Sequence, residues 1–156
     1  MARTDYYRDP HAPVANSIVV AVTAFVLDED GRLLLVRRAD NELYSIPGGA
    51  QDVGETISRA VVREVREETG IDVEATGLIG VYSDPEHVIA YPDGEVRQEF
   101  SLCFRAHPLG GQPRPSVETT EVHWAEQPEL YELPIHPSIR LRIQHGFDER
   151  AEPYFD

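Results

Sequence analysis

The chain has 156 residues, 41% of them hydrophobic, and a formal net charge of −14. That length suits one domain with a real core, and the composition argues against wholesale disorder. So acidic a chain is a poor partner for a nucleic-acid backbone, although an anionic ligand can still be held if a cation stands between the two. The single cysteine, Cys103, can close no internal disulfide and sits in an apolar run, where it reads as a core residue rather than a reactive thiol. No apolar run reaches the length of a membrane span, and residues 1–16 are polar and hold prolines, unlike a secretory signal. The expectation is a cytoplasmic protein with no membrane or nucleic-acid partner, leaving room for a homodimer.

Residues 1–16 read as an arm without periodicity, residues 17–146 as one domain, and residues 147–156 as a tail. Residues 17–27 form an apolar, β-branched run that predicts a strand buried on both faces. A turn signal at residues 28–31 leads to a second strand at 33–36, so the pair reads as a hairpin. Residues 44–49 end in Pro-Gly-Gly, which stops regular structure. Residues 56–69 lack Gly and Pro and are followed by Gly70, which predicts a helix with a glycine stop. Residues 73–81 read as a strand, and 88–91 and 96–105 as a hairpin around Pro92-Asp93-Gly94. A Gly- and Pro-rich loop at 108–115, a short strand at 121–125 and a short helix at 137–144 complete the order. Interleaved strands and helices with antiparallel hairpins give an α/β or α+β class with a mixed sheet.

The helix carries an anomaly. On a wheel advancing about 100° per residue, Ile57, Ala60, Val61 and Val65 share one side, and Arg59, Arg63 and Arg66 lie opposite. Glu64 and Glu68, one turn apart, fall inside the apolar stripe, with Glu67 beside them. Like charges at this spacing repel, and carboxylates turned inward are costly unless compensated. A hard divalent cation compensates well, because it takes oxygen ligands. An ordinary ion-pair network is the alternative: Arg63 and Glu67 are four apart, but the arginines sit on the wrong side to reach Glu64 and Glu68 easily.

With the loop before it, this segment reads GAQDVGETISRAVVREVREETGI from Gly49 to Ile71. It resembles the Nudix box of the Nudix hydrolases, the MutT-like family. Gly49, Glu55, Arg63, Glu64, Val65, Glu67, Glu68, Gly70 and Ile71 match every fixed position, and Ile46-Pro47-Gly48-Gly49 resembles the family's entry to the box. The resemblance implies a mixed β-sheet sandwiched between helices. It also implies Mg²⁺ or Mn²⁺ held by Glu64, Glu67 and Glu68, with the Gly48 carbonyl as a further ligand. Arg63 would orient a neighbouring glutamate, and Glu55 would steady the loop or touch an outer metal. A later glutamate would join them, with Glu121, three before Trp124, preferred and Glu118 in reserve. The activity implied is metal-dependent hydrolysis of a phosphoanhydride, with Glu67 or Glu121 as the proton acceptor.

Other residues read two ways. Tyr44 could stack on a base or pack in the core. Tyr82–His87, with Asp84 and His87, could wall the substrate pocket or form a plain turn. Arg37 and Arg38 could hold a distal phosphate. Arg97 could meet phosphate, although strand alternation favours an outward position. The substrate is a small nucleotide: Pro85 lies close to where the ADP-ribose branch of the family carries a proline, which leans toward ADP-ribose or a nucleoside-diphosphate sugar. A canonical or damaged (d)NTP is the alternative. A catalytically silent ligand sensor is disfavoured because no box glutamate is missing.

Overall fold

The computed structural model describes residues 2–156. Its large sheet runs β1 (Thr4–Tyr7), β7 (His87–Ala90), β8 (Val96–Gly111), β2 (Ser17–Val26), β5 (Gly48–Ala50). Strand β6 (Ile71–Tyr82) pairs antiparallel with the far part of β8, and β10 (Tyr154–Phe155) pairs parallel with β6. A small sheet holds β4 (Tyr44–Ser45), β3 (Leu33–Arg38) and β9 (Thr119–Ala125). Helices α1 (Ile57–Thr69) and α2 (Pro137–Asp148) cover opposite faces, and a 3₁₀ turn lies at Gln127–Tyr131. This is the expected mixed sheet between helices. Among the described residues no helix is long and apolar enough to cross a membrane.

Alternation along the strands divides the core. Val22, Ala24 and Val26 of β2 and Leu34 of β3 pack with Ala60, Val61 and Val65 of α1, while Phe25, Leu33 and Leu35 pack with Ile143 of α2. Cys103 lies in this second layer, fully buried, and burial pushes its thiol up to about 11, so it is unreactive at neutral pH. Helix α1 starts on Thr56, whose Oγ1 accepts from the Arg59 amide at 3.2 Å. It stops on Gly70 at φ 78°, a left-handed position where a side chain would also strike Arg114.

Several local expectations give way. β2 and β3 do not pair as a hairpin: β2 runs parallel to β8 and β3 joins β9, leaving only a Leu27↔Leu33 bridge. Nor is β2 buried on both faces throughout, since its first half borders a cleft. Residues 108–111 extend β8 rather than loop, because Pro108 and Gly110 still face Val73 and Asp72. The arm supplies β1, which pairs with β7 from Thr4↔Ala90 to Tyr7↔His87, and the tail supplies β10. Both strands gain their order from a neighbouring sheet edge, which no local periodicity announces.

Gly146 in α2 sits directly on the Phe25 ring, where an added Cβ would come within 2.7 Å of Phe25 Cγ. Helix propensity alone would make Gly146→Ala stabilising by about 1 kcal/mol. Overpacking should win, and the variant is expected to lose about 1–3 kcal/mol in denaturant unfolding. A gain would mean that α2 can slide off Phe25 freely.

Candidate functional site

The segment between β5 and α1 folds back on the helix. Arg63 is its hub: its guanidinium donates to Glu55 Oε1 at 2.6 Å, to Glu64 Oε1 at 2.8 Å and to the Ala50 carbonyl at 2.9 Å, with Glu67 at 3.4 Å. Glu55 also accepts from the Asp52 amide, so it braces the loop; Arg63 and that amide together pull its carboxyl down to about 2. The wheel placed Arg63 away from Glu64. Its long side chain instead bends around the helix and crosses the 100° between neighbouring residues, so that part of the wheel argument is corrected.

Glu64 and Glu68 are both buried. Gly49 makes room for the first, since a Cβ there would lie 2.5 Å from the Glu64 carboxylate. Burial raises the Glu64 pKa against the pull of Arg63. For Glu68, burial and then the negative charges of Glu64 and Glu118 push the carboxyl up to about 8, against weaker opposition from Arg38 and the Gly48 backbone. No side-chain donor among the described residues hydrogen-bonds to the Glu68 carboxylate. Glu67 is exposed beside the pair. Glu64, Glu67 and Glu68 put three carboxylates on one stretch of α1, one of them with no cationic partner in contact among the described residues, and their all-oxygen chemistry suits a hard divalent cation. Gly48, the first residue of β5, lines the same cleft as Glu68.

The later glutamate beside Glu68 is Glu118, not the preferred Glu121. Glu118 and Glu68 line the same cleft, and Thr119, the next residue, donates from its hydroxyl to the Glu68 carbonyl at 3.0 Å. Glu121 faces Arg37 across the small sheet and accepts a 2.7 Å hydrogen bond from Tyr44 Oη. Alternation along β9 turns it from the box. Arg37 shares that row: it lies against the Tyr44 ring and Glu42 and does not line the cleft, whereas Arg38 does, held by Asp40.

The cleft offers about 260 Å³; Glu68, Gly48 and Gly49 line it, and so do Asp5, His87 and His136. Tyr44 borders it while packing against the α2-side core, as the core reading of that residue expects. Arg97 also borders it, paired with Glu95 and lying 4.4 Å from the Tyr91 ring centre, so alternation turns it inward. Of the segment after β6, His87 reaches the cleft. Asp84 lines a neighbouring cavity and caps its own turn through the Glu86 amide. Reading the sequence missed Arg3, Asp5, His136 and Arg142, which arrive from the arm and from α2 and form no local pattern.

Comparison with known proteins follows this geometry. Residues 18–144 match the family model for the NUDIX domain. A MutT-like protein of Streptomyces ambofaciens is 43% identical over 113 residues, covering 72% of this chain and 67% of that protein. A putative 8-oxo-dGTP diphosphatase of Bacillus subtilis is 46% identical over 105 residues, covering 67% of this chain and 64% of that one. The chain thus spans about two thirds of the length of these relatives. The crystal structure of an ADP-ribose pyrophosphatase from Streptococcus suis superposes with a TM-score of 0.67 at 26% identity, covering 90% of this chain and 100% of that one.

The Glu68 carboxyl titrates near 8 in the fold against an ordinary 4.5, so its contribution to stability is fullest below 4.5 and is lost as pH rises toward 8. In chelator, Glu68→Gln should therefore match wild type at acid pH and melt progressively higher than it as pH approaches 8. Melting curves across that range check this; a variant that melts lower at pH 8 would make Glu68 a structural ion-pair partner.

Proposed function

The chain belongs to the Nudix hydrolase family, and from that premise we propose that it hydrolyses a phosphoanhydride bond in a nucleoside diphosphate linked to a second moiety. The observation that carries this reading is the buried Glu64–Glu68 pair, served by a single contacting arginine, with Glu68 lining an arginine-bordered cleft in a protein of charge −14. Glu64, Glu67 and Glu68 hold a divalent cation, Mg²⁺ or Mn²⁺, with Glu118 in place of Glu121 as the additional carboxylate. When bound, such an ion neutralises phosphate charge, polarises the phosphorus–oxygen bonds and acidifies a coordinated water.

The protein's own groups do the positioning. Arg63 fixes Glu64 and Glu55, so the carboxylates keep one arrangement while substrate enters. Glu67, exposed and restrained only by the long Arg63 contact, accepts the proton of the attacking water. Arg38 and Arg97 face the cleft and offset the negative field along the phosphate path. The Tyr44 ring and His87 take the nucleoside and the linked group. The name of the Streptococcus suis protein supports a substrate of the ADP-ribose type. The name of the Bacillus subtilis relative favours a second reading, a (d)NTP such as an oxidised guanine nucleotide.

A panel of ADP-ribose, nucleoside-diphosphate sugars and (d)NTPs, assayed with Mg²⁺ and with Mn²⁺, decides between them. Two phosphomonoesters from a nucleoside-diphosphate compound are expected, and none in excess chelator; turnover that persists in chelator would overturn the proposal. Release of pyrophosphate from (d)NTPs alone would favour the second reading.

Arg63→Ala should lower kcat about 10–100-fold with KM little changed, the usual cost of losing a group that orients metal-binding carboxylates. A rise in KM at constant kcat would make Arg63 a substrate-binding group instead.

A further inference from the structure

The cleft also gathers three potential ligands from three separate elements: Asp5 of β1, His87 of β7, and His136, which caps the N-terminus of α2. One donor atom from each lies within 4.8 Å of the others. Asp5 Oδ1 stands 2.9 Å from His87 Nε2 and 3.6 Å from His136 Nε2. Ligands 2.0–2.2 Å from a tetrahedral zinc are about 3.3–3.5 Å from one another, so the two distances straddle the value that a shared ion would impose. The His87 and His136 ring centres are 5.2 Å apart, and the edge of Tyr7 closes over both rings at 5.3 and 5.2 Å.

From this geometry we propose a second cation site, formed by Asp5, His87 and His136, that takes a borderline dication such as Zn²⁺. The chemistry separates it from the box. Two imidazoles and one carboxylate suit zinc and its neighbours, whereas the all-oxygen glutamates suit Mg²⁺. The support around the ligands is also of the right kind. His136 Nδ1 lies 2.8 Å from Ser138 Oγ, so with Nε2 on the ion the ring donates its remaining proton to that hydroxyl. This tautomer gives up the 3.2 Å cap bond from the Ser138 amide, which is the longer of the two contacts. Without an ion Asp5 and His87 share a 2.9 Å hydrogen bond, and His136 Nε2 stands 3.6 Å from the same carboxylate oxygen.

All three ligands line the cleft that Glu68 also lines, so open coordination positions face the cavity. Such an ion would do two things. It would pin the N-terminal strand, an edge strand held otherwise by its pairing with β7, to the N-terminus of α2. It would also set a second positive centre in the cleft that Glu68 lines, available to a part of the ligand other than the reacting phosphates.

Cobalt reports on this site without any assay of hydrolysis. With the full chain in excess Mg²⁺ to fill the box, titrated Co²⁺ should bind once per chain and give the intense visible absorption of low-coordinate nitrogen–oxygen ligation, lost on adding Zn²⁺. Asp5→Asn lies on an exposed strand, and His136→Asn keeps a residue able to cap α2. Each should weaken Co²⁺ at least about a hundredfold, beyond the loss usual for an outer-shell partner, with unchanged circular dichroism. Glu68→Gln should bind Co²⁺ as wild type does. Absence of the band in wild type, its survival in both ligand variants, or its loss in Glu68→Gln would each overturn the proposal. The hydrolytic reading would stand or fall separately.

Discussion

Two carboxylates are held where an apolar side chain would ordinarily sit, and much of the architecture serves to keep them there. Glu64 and Glu68 share the buried stripe of α1 with Val61 and Val65. A carboxylate in that position is tolerable only if it is neutral, paired or coordinated. Arg63 pairs the first, and a glycine is required at position 49 to admit it. The second has no such partner and is driven toward the neutral form instead. The last turn of α1 is anchored by groups from outside the helix: Arg114 donates its amide to the Thr69 carbonyl and Thr119 its hydroxyl to that of Glu68. Fixing the helix end this way fixes the acidic pair with respect to the sheet.

The cleft follows from the division into two sheets. β2 leaves β3 after a single bridge and pairs instead with β8, so the large sheet and the small one diverge from the Leu27–Leu33 corner. The gap between them is filled by α2 and its core partners over part of its length and left open over the rest. Glu68, Gly48 and Gly49 reach it from α1 and β5; Asp5, His87 and His136 reach it from elements far apart in the chain, the N-terminal strand, β7 and the start of α2.

What could be read from the sequence divides along the same line. The helix, its glycine stop, the buried glutamates and the hairpin around Pro92-Asp93-Gly94 are local patterns, encoded in spacing and turn chemistry, and the structure contains them. The box resemblance also carried the fold. The β2–β3 hairpin failed because a turn signal marks a reversal but not the partner that each strand finally chooses. Glu121 was preferred to Glu118 on sequence spacing, but alternation along β9 and the Tyr44 hydrogen bond turn Glu121 away. Arg37 and Arg38 looked equivalent until strand alternation gave one to the cleft and the other to the Tyr44 row. Asp5 and His136 are 131 residues apart and meet only through tertiary structure, so nothing in their neighbourhoods could have announced them.

The central claim is that the buried acidic pair awaits a cation. If so, metal uptake near neutral pH must expel the proton that burial holds on Glu68. Calorimetric titration of Mg²⁺ or Mn²⁺ in buffers of different ionisation enthalpy measures that proton directly. Near pH 7 the account predicts release approaching one proton per ion bound, shrinking as pH rises past about 8 and absent in Glu68→Gln. Metal binding with no proton release at pH 7, or binding that is unchanged when Glu68 is replaced, would contradict it.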